Sequence, residues 1–123
     1  MLFRSISNHG GRQLDGAISP MRMLPAIRSA VGDFPLMIDS GFRRGTDVLK
    51  ALALGADFVF IGRPFNYAAS VGGIDGVRKA IQILKKEIEM GLGMLGETSL
   101  SGVSTEHLSI QKDRKSTRLN SSH

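Results

Sequence analysis

The sequence predicts an α/β fold in which short parallel strands alternate with longer helices. Three β-like runs, at residues 3–7, 35–38 and 58–61, are each followed by a loop and then a helical pattern. That alternation is typical of parallel βαβ units. The third run, FVFI, is apolar throughout, as expected for a strand covered on both faces. Three such units leave a sheet with two open edges.

The composition is that of a core-forming soluble protein, with 123 residues, 41% hydrophobic and 22% charged. The absence of cysteine excludes disulfides, thiolate metal ligands and a cysteine nucleophile. We expect no metal site. No apolar run approaches the roughly 18 residues that cross a bilayer, and residues 1–7 are too short for a signal peptide. These features favour a cytoplasmic location.

The net charge of +5 raises the question of a nucleic-acid or membrane partner. Residues 113–123 contribute +2 of it, and the remaining +3 is spread over helices that also carry Asp and Glu. Aromatic residues make up 6% of the chain, with no Trp. Stacking platforms for single strands are therefore not expected, and we predict no nucleic-acid partner.

The first unit combines the strand at residues 3–7, the Gly-rich loop SNHGGRQLDG and a helix. Ser19 is expected to cap this helix and Pro20 to occupy its first position. The helix should run to about Val31, since Gly32 then ends it. Pro25 inside it predicts a kink or a later start.

The second strand ends at Asp39 and is followed by a loop at residues 40–45. A helix then starts at Thr46 or Asp47 and runs to about Leu54. The third strand, at residues 58–61, turns through Gly-Arg-Pro into a short helix.

The last element is predicted as a helix of about twenty residues with one apolar stripe. Charged residues fall off this stripe and form a solvated face. The stripe is formed, at spacings of three and four, by Ile74, Val77, Ile81, Leu84, Ile88, Leu92 and Leu95.

His9 and Arg12 are candidate site residues because they share the loop after the first strand. Histidine is the side chain best suited to proton transfer near neutral pH. The planar guanidinium of arginine matches a carboxylate with two hydrogen bonds. Together they suit a substrate with an acidic proton and a carboxylate, although a lone loop histidine is more often solvated or structural.

Two strand-Gly-Arg-helix junctions predict an anion site. In the first, Gly41 allows close backbone approach, two arginines follow, and the helix starting near Thr46 would offer exposed amides. In the second, Gly62 and Arg63 precede a helix in the same way. The alternative is that the glycines serve turns and the arginines the surface. No GxGxxG is present, so a Rossmann dinucleotide site is not supported.

The segments SNHGGRQLDG, IDSGFRRGTDVLKALALGADFVFIGRP and GVRKAIQILKKEIE resemble the FMN-dependent 2-hydroxy-acid dehydrogenases and oxidases. That family includes lactate dehydrogenases, mandelate dehydrogenase and glycolate oxidase. The resemblance covers residues 6–108. Within the family, the segments LDGAISPM and LMIDSGFRRG are more similar to the mandelate and lactate dehydrogenases. It implies a partial barrel domain at residues 1–112, namely three βα units plus the C-terminal helix of a TIM (β/α)8 barrel.

The resemblance also implies roles for individual residues. His9 would be the catalytic base, and Arg12 would hold the substrate carboxylate. FMN would be the cofactor, with its phosphate at the Gly41 amide and Arg43. Gly62 and Arg63 would complete the phosphate site. The residues implied to contact FMN are Asp39, Ser40, Gly41, Phe42, Arg43, Gly62 and Arg63.

The implied reaction is oxidation of an L-2-hydroxy acid, lactate-like or mandelate-like, to the 2-keto acid. A quinone, a cytochrome or oxygen would accept the electrons downstream, and the full-length protein would be a homo-oligomer, with membrane association in some members. A barrel of this type needs about 250 residues. The family's active-site tyrosines, the lysine near the flavin and the aspartate that orients the base are not located here. We therefore expect this chain alone to have little or no activity.

Two other functions remain open from the residues. Another phosphate-binding FMN barrel, such as type 2 isopentenyl-diphosphate isomerase, would share the phosphate loops but not SNHGGRQ. A non-catalytic basic binding module would need a positive patch independent of the chain's end. The last residues, 113–123, read DRKSTRLNSSH and resemble a translated sequencing adapter. We interpret them as an artefactual disordered tail. No role is assigned to His107 or His123.

Overall fold

The computed structural model describes residues 2–109 and contains one parallel sheet with helices between its strands. The predicted tail at residues 113–123, with His123, lies outside the described residues. The elements are strands β1 (Arg4–Ile6), β2 (Leu36–Ile38) and β3 (Phe58–Val59), and helices α1 (Pro20–Val31), α2 (Gly45–Ala53) and α3 (Arg63–Leu95). Short 3-10 turns lie at His9–Gly11, Leu100–Gly102 and Thr105–His107.

The sheet has the order β1-β2-β3, and both pairings are parallel. Ile6 lies opposite Ile38, which lies opposite Val59. The N–H of Asp39 donates to the Ile6 carbonyl (3.0 Å), and that of Phe60 to the Ile38 carbonyl (2.9 Å). The predicted alternation is confirmed, although the strands are shorter than their apolar runs. All three carboxyl ends therefore meet at one edge of the sheet.

The core lies between the sheet and the helices α1 and α2. Leu24 of α1 and Leu36 and Ile38 of β2 have no solvent exposure. Phe42, in the loop after β2, is 3% exposed and joins the same cluster. The loop that follows the central strand is thus anchored by a buried aromatic ring, which limits how far its polar residues can move.

Helix α1 begins as its sequence predicts and passes through Pro25 without interruption. The Ser19 Oγ accepts the Arg22 N–H (3.3 Å), and Pro20 occupies the first turn. Leu24 is buried on the face toward the sheet while Pro25 is exposed. The expected start is therefore confirmed. The cost of the missing proline N–H does not end the helix while its opposite face is packed.

Helix α3 is two helical pieces joined at Gly73, whose φ of 55° and ψ of −139° are not helical. This agrees with the predicted short helix followed by a longer one. Within the expected apolar stripe, the residues from Leu84 onward are half-buried. Ile74 and Ile81 are 75% and 44% exposed. The stripe packs on α2 in its C-terminal part and faces solvent near the kink.

Two glycines allow α3 to approach α2 closely. A Cβ on Gly45 would lie 2.6 Å from Glu87 Cβ, and one on Gly91 would overlap Leu49 Cδ1. Real Cβ atoms do not approach other carbons so closely. A side chain at Gly45 would move the helices apart because it would meet the backbone of α3, whereas one at Gly91 would displace the end of the Leu49 side chain.

Arg28 binds several backbone carbonyls at the amino ends of the strands, near the start of β2. Its guanidinium donates to the carbonyls of Gly55 (2.7 Å), Gly32 (2.6 Å) and Phe34 (2.9 Å). It also pairs with Asp57 Oδ2 at 2.7 Å, and the same oxygen accepts the Leu36 N–H (2.8 Å). One side chain thereby joins the end of α1, the start of β2 and the loop before β3.

Both outer edges of the described sheet carry exposed apolar side chains, as expected for three open units. Leu2 and Phe3 beside β1 are 81% and 56% exposed. Phe58 and Phe60 beside β3 are 52% and 47% exposed, with ring centroids 5.0 Å apart. Within residues 2–109, no helix is long and apolar enough to cross a membrane.

We expect Arg28→Ala to lower the free energy of unfolding by about 2–3 kcal/mol, because three carbonyls and one carboxylate lose their donor together. Urea unfolding followed by circular dichroism measures this. Arg78→Ala is the matched control, since Arg78 forms an exposed pair with Asp75 at 3.3 Å. Such pairs contribute about 0.5 kcal/mol or less. Equal losses in the two variants would contradict the role assigned to Arg28.

Candidate functional site

The loops that follow the three strands surround one cavity of about 750 Å³. This volume lies within the range of about 300–1,000 Å³ that is usual for small-molecule sites. Eight of the nine predicted site residues line it: His9, Asp39, Ser40, Gly41, Phe42, Arg43, Gly62 and Arg63. The parallel register explains this convergence, since each loop leaves the same edge of the sheet.

Arg12 is the predicted site residue that does not line the cavity. It follows the 3-10 turn His9–Gly11, and its N–H donates to the His9 carbonyl (3.3 Å). Its side chain is exposed. The loop therefore places His9 in the cavity wall and Arg12 one short turn away, at the surface.

Asn66 and Tyr67 line the cavity but were not predicted from the sequence. They lie three and four residues after Arg63, so one face of the first turn of α3 carries all three side chains. The sequence contains this spacing, but the three residues are polar. An apolar periodicity, which is the usual sign of a shared helix face, is therefore missing here.

The carboxylate of Asp39 ties the loop after β2 to the loop after β1. Its Oδ1 accepts the hydroxyl of Ser7 (2.6 Å) and, in a short hydrogen bond, that of Ser40. The Ser7 Oγ in turn accepts the N–H of His9 (3.1 Å). The position of the candidate base thus depends on an acid at the end of the neighbouring strand.

Two non-glycine residues at this site have left-handed backbone, namely His9 with φ of 55° and Ser40 with φ of 78°. This conformation costs an L-residue about 1–2 kcal/mol. Backbone strain of this kind persists where surrounding contacts hold it, and it is concentrated at functional sites. Here the contacts are the hydrogen bonds that link the two loops.

Arg63, the first residue of α3, connects the end of β3 to the loop after β1. Its Nη2 donates to the Gly10 carbonyl (3.1 Å). A Cβ on Gly10, where φ is 65°, would lie 2.9 Å from the same nitrogen. Glycine at this position therefore permits both the backbone angle and the arginine contact.

The expectation that the helix start near Thr46 offers exposed amides is wrong for Gly45 and for the two residues before it. The Gly45 N–H donates to Glu87 Oε2 (2.7 Å), and the N–H groups of Arg43 and Arg44 donate to Asp47 Oδ2 (3.1 and 3.0 Å). Arg44 itself pairs with Glu87 Oε1 at 2.7 Å. Carboxylates from within the chain occupy these donors.

The start of α3 differs from that of α2, because its N-cap is Gly62 and no side chain caps it. Arg43 and Arg63 both line the cavity beside this helix start. A helix N-terminus with nearby arginines suits an anion, phosphate included. The cavity therefore combines Arg43 from the first Gly-Arg junction with Arg63 and the helix start of the second.

Glu87 has a lowered pKa relative to its ordinary value of 4.5. The hydrogen bond from the Gly45 N–H is the largest cause, followed by the hydrogen bond from Arg44. Both interactions favour the ionised carboxylate. The contact between α3 and the start of α2 is therefore strongest when Glu87 is charged.

His107, to which the sequence assigned no role, has two partners in the structure. Its Nε2 lies 3.3 Å from Glu97 Oε1, and its Nδ1 accepts the Ser104 N–H (3.1 Å). These contacts hold the segment after α3 near the end of that helix.

Within residues 2–109, no group of three or more His, Asp or Glu side chains could hold a metal ion.

Comparison with known sequences identifies a family, described as FMN-dependent dehydrogenase, that matches residues 5–110. The chain is 47% identical over 110 residues to glycolate oxidase 2 of Oryza sativa subsp. indica, covering 89% of this chain and 30% of that protein. It is also 47% identical over 104 residues to L-lactate dehydrogenase of Pseudomonas putida, covering 84% and 27%.

Comparison with solved structures gives the same result for the fold. A soluble mutant of the membrane-associated (S)-mandelate dehydrogenase from Pseudomonas putida superposes with a TM-score of 0.84 at 44% identity. The match covers 87% of this chain and 30% of that one. The chain thus corresponds to part of a TIM barrel and spans about 30% of the length of these relatives.

We expect Glu87→Gln to destabilise the fold at neutral pH, because Gln cannot supply the charge that Gly45 and Arg44 bind. A lowered carboxyl pKa adds stability above the unfolded-state pKa, and this is lost as pH falls through the folded-state value. The difference from the unsubstituted chain should therefore shrink below about pH 4.5. Urea unfolding at several pH values measures this.

Glu89→Gln is the control for that experiment, since Glu89 is exposed on the same helix. It should change stability little at any pH. A Glu87→Gln variant whose stability runs parallel to the unsubstituted chain from neutral to acidic pH would contradict the assigned contact.

Proposed function

Since the chain belongs to the family of FMN-dependent dehydrogenases, we propose that it supplies part of the active site for oxidising an L-2-hydroxy acid to the 2-keto acid. The observation that carries the proposal is the cavity that the loops at the carboxyl ends of the strands surround. It unites His9 with Arg43 and Arg63. The family match favours this function over the isomerase and the basic binding module.

Within the barrel, we assign the three βα units to positions six to eight, followed by the C-terminal helix. In support, the sheet is parallel throughout and its sequential order is β1-β2-β3. In TIM barrels, phosphate sites are commonly formed by the loops after strands seven and eight. These would be the loops after β2 and β3, which carry Gly41, Arg43, Gly62 and Arg63.

The cavity has the chemistry that FMN requires. Gly41 and Gly62 allow the backbone to approach a ligand, and Arg43 and Arg63 supply positive charge for a phosphate. Asp39, Ser40 and Phe42 belong to the loop after β2, which would face the cofactor. When bound, FMN would supply the electron acceptor of the reaction. The residues of this chain would hold its phosphate and exclude water from one side.

His9 would act as the base that removes a proton from the substrate. Its exposed side chain stands in the cavity wall, so a small acid can reach it. Arg12 would bind the substrate carboxylate. Arg12 follows the 3-10 turn that begins at His9 and does not line the cavity, so this assignment rests on the family resemblance.

We further propose a small 2-hydroxy acid as the substrate class, with lactate-like and mandelate-like acids included. Relatives described as glycolate oxidase and L-lactate dehydrogenase are equally similar to this chain at 47% identity. A quinone, a cytochrome or oxygen would take the electrons from the flavin. The complete enzyme would be a cytoplasmic homo-oligomer, with membrane association as the alternative that (S)-mandelate dehydrogenase suggests.

Grafting tests this proposal directly. Residues 5–110 would replace the matching segment of the Oryza sativa glycolate oxidase, whose remaining sequence completes the barrel. We expect the graft to bind FMN and oxidise a 2-hydroxy acid. His9→Gln should lower kcat by about 10²–10⁴-fold, because general-base catalysis contributes that much.

His107→Gln in the same graft is the matched control, since His107 contacts Glu97 and Ser104 and does not line the cavity. Its kcat should stay within about twofold of the unsubstituted graft. A graft that retains full turnover with His9→Gln would contradict the proposed role of His9.

A further inference from the structure

We propose that the hydroxyl of Ser40 is a positioning group for His9, which it holds through the backbone of the preceding and following residues. This inference rests on the proposed role of His9 as the base. It also assigns the Ser40 side chain to the loop after β1, whereas the resemblance implied a contact with the cofactor.

Ser40 Oγ makes every hydrogen bond that a hydroxyl can make within the protein. It donates to Asp39 Oδ1 and accepts from the N–H groups of Asn8 (3.3 Å) and Gly10 (3.1 Å). A hydroxyl has one hydrogen to donate and two lone pairs. All three are therefore used by the protein, and a bound ligand would gain this oxygen only by displacing a partner.

Three successive amides of the loop are held by two hydroxyls on a single carboxylate. The N–H groups of Asn8 and Gly10 donate to Ser40, while that of His9 donates to Ser7 (3.1 Å). Both hydroxyls donate to Asp39 Oδ1. The backbone on both sides of the imidazole is thus tied to the end of β2, which packs in the core.

The backbone of Ser40 supports a role for its side chain. Its φ of 78° is a conformation that glycine adopts without cost and serine does not. The three hydrogen bonds of the hydroxyl offset that cost. They also hold His9 in its own left-handed conformation, with φ of 55°. Two strained residues therefore stabilise each other across the two loops.

These hydrogen bonds affect the orientation of the His9 imidazole. A catalytic side chain must be held within about 0.5 Å and 10–20° of its productive geometry. His9 lies in a loop and its side chain is exposed, so packing does not orient it. The amide contacts from Ser40 and Ser7 fix the backbone from which the imidazole projects.

The first test uses the 123-residue chain with Ser40→Ala and Ser40→Gly. Both remove the hydroxyl, and glycine also relieves the strain, so at least the second variant should fold. We expect amide exchange at Asn8 and Gly10 to accelerate about three- to tenfold, since each loses a hydrogen bond. The backbone coupling that reports φ at His9 should move away from its left-handed value.

Ser29→Ala is the matched control, because Ser29 is exposed on α1. Exchange at Leu36 in the core should be unchanged in all three variants. A Ser40→Gly variant that kept the exchange rates and the His9 coupling of the unsubstituted chain would show that the hydroxyl does not hold the loop. That result would overturn the proposal.

The second test places the same variants in the grafted enzyme. We expect Ser40→Ala and Ser40→Gly to lower kcat by about tenfold or more with KM little changed, because misorientation of a base affects the chemical step. A loosened loop with undiminished kcat would overturn the positioning role. If His9→Gln also retained full kcat, the failure would lie in the proposed function and not in the loop contacts.

Discussion

Parallel pairing of three short strands in one continuous register is the constraint from which the rest of this structure follows. Ile6, Ile38 and Val59 lie side by side, so the loops that leave them emerge at one edge. Eight of the nine predicted site residues come from segments up to 54 positions apart in the chain, and this pairing brings them to one cavity. A shift of one residue in either pairing would turn every side chain of the shifted strand to the opposite face of the sheet.

The amino ends and the carboxyl ends of the strands differ in function, and a different charged residue makes the main contacts at each. At the amino ends of the strands, Arg28 and Asp57 bind backbone groups and each other, and so join the end of α1, the start of β2 and the loop before β3. At the carboxyl ends, Asp39 holds two serine hydroxyls that support the loops, while His9 and the arginines remain in the cavity wall. This division between stability and function is general in barrels of parallel strands.

The sequence predicts the features that depend on local chemistry. The alternation of strands and helices, the Ser19 cap and the two Gly-Arg junctions were all recognisable, because each is encoded within a few residues. What it could not predict depends on packing between distant segments. Glu87 reaches Gly45 across 42 positions and closes the start of α2, and Arg28 reaches Asp57 across 29. The contact between His107 and Glu97 likewise becomes evident only once the chain folds back after α3.

We propose that a cofactor phosphate would bind between the ends of β2 and β3, at the start of α3 and not at the start of α2. Titration of the ¹⁵N-labelled chain with FMN, and separately with inorganic phosphate, tests it most directly. We expect shifts of the amide resonances of Gly41, Gly62 and Arg63 with both ligands, and none at Gly45, whose N–H is held by Glu87. Shifts centred on Gly45 and Asp47, or an unchanged spectrum at Gly41 and Gly62, would contradict it.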